Sequence, residues 1–274
     1  MNLINAELFK IRTTATWWIF GIIMLPLWVL SVLVNWAGSN FTTQADPTGL
    51  PADQAEQIRV ASEAVNIGAN LYTSGQFFGV LIVMVLAAIV VTNEFFHQTA
   101  TTTFLVTPRR ESVVLAKLVA SATLGLVFWL VMTIGNLIAV PFILRSLGVG
   151  AQLGEGAIWR AIGLNALAFI LWAVLGVGFG VLIRSQIAAT VTLTAIYVVG
   201  YFGSAILFAL LTDKIGDWFG KLQVLVPTAA SALMISGTEL PGSPPRWVGA
   251  IVLIGYAALA GILGTLLMKR RDIS

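Results

Sequence analysis

The sequence predicts an all-α polytopic membrane protein with six transmembrane helices. An N-terminal interfacial helix and a re-entrant or interfacial segment before the last span complete it. Three observations carry this reading. The 274 residues are 58% hydrophobic and only 10% charged, where a soluble domain carries about 25% charged residues. Mean hydropathy is +0.93. Six runs without Asp, Glu, Lys, Arg or His each reach the roughly 20 residues that a helix needs to cross a hydrocarbon core of about 30 Å. The short alternating segments of a membrane β-barrel are absent.

The elements follow in order. Residues 2–16 read as a short helix, with Ile4, Leu8, Ile11 and Ala15 on one face and Asn5, Lys10 and Arg12 off it. That pattern fits a helix lying on the membrane surface. The first span is Trp17–Trp36. Lys10 and Arg12 precede it as in a signal peptide, but its apolar run exceeds the roughly 7–15 residues of an h-region. The outer loop 37–70 opens with turn-formers, among them Gly38, Ser39, Asn40, Asp46 and Pro47. Pro51 is placed to open a helix at its first position. Residues 52–70 then read as an extracellular helix or as a mobile loop. Spans two to five are Leu71–Thr92, Leu118–Leu144, Ala161–Ile183 and Ile187–Leu211. The segment Leu222–Gly237 is uncharged but short for a span and contains Pro227, so it reads as re-entrant or interfacial. A Pro-rich patch, Pro241–Pro245, resets the chain before the sixth span, Trp247–Met268. The whole chain is expected to form a single transmembrane domain.

Orientation follows from basic residues, which concentrate on the cytoplasmic side. With both termini inside, nine of the fifteen Lys and Arg are cytoplasmic, including Arg109, Arg110, Lys117 and Arg184. The inner segments then net +5 and the outer ones −2, which together make the formal +3. The polar stretch 93–117 becomes a cytoplasmic loop.

Several chemistries are excluded. Zero Cys removes disulfides, thiolate metal sites and Cys nucleophiles. No basic run is long enough for a nucleic-acid tail. A phosphate-cradling loop needs G-x-x-x-x-G-K-[ST]. The nearest stretch, Gly216 to Leu222, has one residue too few between its glycines and Leu in place of Ser or Thr. One His cannot build a His-rich metal site. No ionisable residue sits within the spans, which argues against proton relay and against an intramembrane hydrolase.

Polar side chains inside the spans are the other candidates. Thr190, Thr194, Tyr197, Tyr201 and Ser204 are spaced 4, 3, 4 and 3 apart, so they share one helix face. They read as the wall of a substrate pathway or as a subunit seam, against ordinary interhelical hydrogen bonding worth about 0.6 kcal/mol per contact. Asn136 and Asn165 sit mid-span and read first as packing amides, with Asn136 also kept as a pathway or seam candidate. Gly176 and Gly180 invite close helix contact without naming a partner. Trp17, Trp18, Trp36 and Trp247 read as interfacial anchors.

One stretch resembles a known family. Glu94 closes span two, His97 and Thr99 follow, then come Thr107-Pro108-Arg109-Arg110, and Ala116-Lys117 opens span three. This order resembles the type-2 ATP-binding-cassette (ABC) permease family. Glu7-Leu8-Phe9-Lys10-Ile11-Arg12 resembles that family's entry helix, and Val226-Pro227-Thr228-Ala229 its Pro-centred segment before the last span. Phe96 and Gln98 depart from the pattern, standing where a basic residue and Gly are common. The resemblance implies the transmembrane subunit of an exporter with no cofactor of its own. ATP and Mg would sit on a separate ATPase, and a second permease subunit would complete a homo- or heterodimer. The loop 93–117 would dock in the ATPase through Glu94, His97, Thr99, Pro108, Arg109, Arg110 and Lys117. Long apolar spans without buried charge suit a lipid-like, amphipathic or drug-like cargo better than an ion, and the expected location is a bacterial plasma membrane. The alternative is a non-transporting scaffold or immunity-type protein binding a cytoplasmic partner through the same loop.

Overall fold

The computed structural model of the chain describes residues 3–99, 103, 105, 109–237 and 239–270. The described residues form helices and turns without a strand. Six helices are long and apolar enough to cross a membrane, so the chain is a multi-pass helical membrane protein. In chain order the helices of the chain are α1 (Leu3–Thr13), α2 (Thr16–Gln44), α3 (Ala52–Ala61), α4 (Ala64–Tyr72), α5 (Gln76–Phe96) and α6 (Arg110–Ser146). Then follow α7 (Gly156–Leu182), α8 (Gln186–Ile215), α9 (Asp217–Lys221), a 3-10 turn (Leu222–Leu225), α10 (Pro227–Ile235) and α11 (Arg246–Arg270).

The bundle is built around α5 and α7. In their most apolar stretches 72% of the α4–α5 residues and 61% of the α7 residues are buried, against 11% for both α2 and α8. Small residues set the approach. A Cβ on Gly176 would collide with the Met84 carbonyl oxygen, and one on Gly180 would lie 2.8 Å from that of Ala88. The backbones of α5 and α7 therefore touch where only glycine leaves room. The two glycines, uninformative as a sequence pattern, seat α7 on α5. Helices α2 and α8 carry their apolar side chains outward, as lipid-facing helices do.

Three expectations need correction. Gly38, Ser39 and Asn40 do not begin a loop, because α2 runs on to Gln44. The Thr42 hydroxyl donates to Gly38 O and the Gln44 amide to Asn40 Oδ1, so the helix continues through residues that favour turns in isolation. Residues 52–61 and 64–70 are helical, with a break at Ser62 and Glu63, but Pro51 is the residue preceding α3 rather than its first position. The second span is longer than 71–92 and is interrupted. It comprises α4 and α5, separated by Thr73–Gly75, with Gly75 in the left-handed region at φ +92°. Glycine takes that conformation at no steric cost. The segment before the last span is a bent pair: residues 218–225 and α10 meet at 94° across Val226.

Candidate functional site

Two polar sites occupy opposite ends of the bundle. The first is an ion cluster at the end where α1, the close of α5 and the start of α6 converge. Lys117 Nζ lies 2.8 Å from both Glu7 Oε2 and Glu94 Oε1. Lys10 Nζ lies 2.7 Å from both Glu7 Oε1 and Glu94 Oε1. Each ammonium bridges both carboxylates, and the four charges cancel. Lys117 is 1% exposed, Glu7 4% and Glu94 7%. Buried charges persist only when paired and hydrogen-bonded, and this cluster meets both conditions. Burial would raise the Glu7 carboxyl, but Lys117 and Lys10 outweigh it and hold the group below its ordinary 4.5. Burial would lower the Lys10 ammonium, but the bonds to Glu7 and Glu94 leave it raised.

The cluster fastens α1 to both roots of the loop 93–117. Glu94 and Lys117 were expected at the loop ends, and the structure brings them together. Glu7 and Lys10 were not singled out as site residues. The signal for Glu7 was present: an acid three residues after Ile4, inside the apolar face of an otherwise surface helix. Lys10 reaches the cluster from the edge of that face.

The remaining loop residues fall as follows. His97 caps α5 and is exposed, with its ring 5.0 Å from that of Phe96. Gln98 adopts φ +56°, Thr99 N donates to Glu94 O and Gln98 N to Phe95 O. That is the Schellman arrangement, normally completed by glycine. The tight turn therefore forms with Gln98 where the resembling family has Gly. Thr99 accepts at its carbonyl from Thr103 N at 3.0 Å. Pro108 lies outside the described residues, as does Thr107. Arg109 is exposed and Arg110 half-buried at the start of α6. Phe96 and Leu105 are also exposed. In the neighbouring turn, the Arg184 guanidinium stands 5.4 Å over the Phe95 ring. A cleft of about 340 Å³ opens beside the cluster, between α1 and α5.

The second site is a cavity of about 720 Å³ at the opposite end. It lies between α2, the α4–α5 break, α8 and α10. Tyr197 and Tyr201 line it with Phe77, Phe78 and Phe202. Tyr197 is buried and its hydroxyl donates to Phe77 O at 2.8 Å, while Tyr201 stacks edge-on against the same ring. Of the five-residue stripe only these two reach the cavity. Thr190, Thr194 and Ser204 are half-buried elsewhere on α8, and Ser204 bonds back to Tyr201 O. Asn136 does not line the cavity but supports it. Its amide donates to Tyr72 O at 3.0 Å and Ser74 O at 2.9 Å and accepts from Trp28 Nε1 at 2.8 Å. It thereby satisfies carbonyls that the break in the second span leaves without helical partners.

The fold and both sites define a multi-pass helical membrane protein with a charged clasp at one end and an uncharged cavity at the other. No protein-family model matches the chain, and no curated protein matches it.

Proposed function

We propose that the chain is the transmembrane subunit of an ATP-driven exporter of the type-2 ABC kind, with the 93–117 loop facing the cytoplasm and docking on a separate ATPase. The observation that carries this reading is the Glu7–Lys10–Glu94–Lys117 cluster. A loop that only connected two helices would not need a buried, fully paired clasp at its roots. A loop that receives a push does, because motion at its tip reaches α5 and α6 only through rigid roots.

The chemistry of the loop is suited to docking. Phe96 and Leu105 offer apolar contact, and Arg109 offers planar donors for carboxylate or carbonyl groups. The partner would bind ATP and Mg. Its closure would carry the loop, the clasp and α1 as one body and tilt α5. Helix α5 reaches from the clasp to Gln76 and Phe77 at the far cavity, so a tilt reshapes both ends. A second subunit, identical or related, would pack on the exposed faces of this one. Cargo of lipid-like or amphipathic character fits a cavity with aromatic and amide walls.

Co-purification with the ATPase encoded nearest this gene tests the reading. Reversal of Arg109 and Arg110 to Glu is expected to abolish the complex while the purified permease stays folded. An undiminished complex would refute docking through this loop. Absence of cargo-stimulated ATP hydrolysis after reconstitution would instead favour a non-transporting scaffold.

A further inference from the structure

We propose that the cavity between α2, α5, α8 and α10 binds the uncharged, hydroxyl-rich headgroup of a glycosyl lipid. As an assignment of cargo, this rests on the exporter reading above; as a binding site, it stands on its own geometry.

Four observations carry it. First, among the described residues the lining holds no Asp, Glu, Lys, Arg or His. An ionic headgroup would surrender its hydration there with no opposite charge to meet. Second, the polar lining is amide and hydroxyl: Asn35, Asn66, Asn70 and Gln76 with Thr228 and Ser231. Amides and hydroxyls each donate and accept, which is what a ring of sugar hydroxyls requires. The aromatic rings of Phe77, Tyr197 and Tyr201 stand beside them and offer apolar faces to the C–H side of a sugar.

Third, hydrogen-bonding capacity in the wall is left over. Thr228 is 6% exposed and lines the cavity, and its Oγ1, buried just behind the wall, has no partner among the described residues, so a change of rotamer would turn it to a guest. Ser231 Oγ accepts from Gln76 Nε2 at 3.0 Å and from Trp172 Nε1 at 3.2 Å. Both bonds use Ser231 as acceptor, so its own hydrogen points to no protein partner among the described residues. A buried hydroxyl without a partner carries a desolvation penalty that a ligand would remove.

Fourth, the cavity has an apolar side wall. Leu30 and Val34 of α2 and Phe202 of α8 line it and are 47%, 60% and 55% exposed. Helices α2 and α8 are the two least buried spans. A headgroup held at Thr228 and Ser231 can therefore leave its acyl chains in the bilayer between these helices. This favours a lipid-borne sugar over a free one.

The full chain, purified without any ATPase, is titrated with monoglucosyl diacylglycerol, phosphatidylglycerol and free maltose, with occupancy read by native mass spectrometry. The expected result is saturable glycolipid binding at least about tenfold tighter than either control. Thr228→Val keeps the shape and removes the spare hydroxyl. It is expected to weaken glycolipid binding about fivefold, with a midpoint of unfolding unchanged or raised. A purely structural Thr228 would show no loss of affinity. The pair Gln76→Leu with Ser231→Ala is expected to weaken binding further, and its thermal unfolding reports whether the wall survives. Equal affinity for phosphatidylglycerol, maltose binding as tight as glycolipid, or unaltered affinity in Thr228→Val would each overturn the proposal. The Arg109/Arg110 reversal is expected to leave this binding intact, so failure of loop docking and failure of the cavity assignment read out separately.

Discussion

At the loop end of the bundle, four charged side chains meet and pair with one another. At the opposite end, a cavity contains no charge among its described lining residues and leaves the Thr228 hydroxyl without a partner among them. The clasp is closed chemistry: Glu7, Lys10, Glu94 and Lys117 have bonds to each other and little left for a ligand. The cavity is open chemistry: Thr228 and Ser231 keep capacity in reserve. Polar groups in an apolar bundle are expensive. The difference lies in where that cost is relieved, internally at the clasp and by a guest at the cavity. On the exporter proposal, rigidity serves where force would enter and spare capacity where cargo would bind.

The largest effect is expected at the clasp. Lys117→Met leaves two buried carboxylates with only Lys10 and should cost about 3–5 kcal/mol of stability, measured by thermal unfolding in detergent. Adding Glu94→Gln to Lys117→Met removes one charge of each sign and should recover most of the loss. If the single change costs nothing, the clasp is not structural and the contrast collapses.

The next effect lies beneath the cavity. Asn136→Leu strips the donors from Tyr72 O and Ser74 O and the acceptor from Trp28. The expected cost is about 2–3 kcal/mol in all, because the unwound backbone at the break can relax around the freed carbonyls. Cavity binding should fall with it, since the α4–α5 break loses its support.

Between the two sites, acid acts on the clasp rather than on the cavity. The Glu7 carboxyl is lowered, so its contribution is present above the ordinary value of 4.5 and is lost as pH falls through the folded value. The Lys10 ammonium is raised, so its contribution is present below 10.5 and is lost as pH rises through the folded value. Helix α1 should therefore be best fastened between these limits. Amide exchange in α1, corrected for its intrinsic pH dependence and compared with α7, should accelerate when measured directly in acid below 4.5. Lys10 is half-exposed, so its alkaline effect should be the weaker of the two. Cavity binding of an uncharged headgroup should stay flat across the neutral range.

The smallest effect concerns the turn that leaves the clasp. Gln98 at φ +56° bears a left-handed conformation costing about 1–2 kcal/mol relative to glycine. Gln98→Gly should stabilise the loop by up to about that amount, seen as slower amide exchange at Thr99, with the clasp unaffected.

Much of this was legible in one dimension. Charge-free runs of sufficient length located all six spans, because lipid tolerates no unpaired charge and demands internal backbone hydrogen bonds. Glu94 and Lys117 were legible as the ends of a polar loop. Tyr197 and Tyr201 were legible as one face of α8, although Thr190, Thr194 and Ser204 share that spacing and not the cavity. Helical spacing records which residues point the same way and leaves open what they point at.

Tertiary structure decided the rest. Glu7 becomes a site residue only because α1 folds back across residues 94 and 117, a contact no local pattern encodes. Asn136 serves the α4–α5 break because α6 happens to pass it. Gly176 and Gly180 acquire meaning from the α5 backbone lying against them. Hydropathy is a property of each segment and survives in any arrangement. Pairing of buried polar groups depends on which segments meet, and that was set by packing in three dimensions.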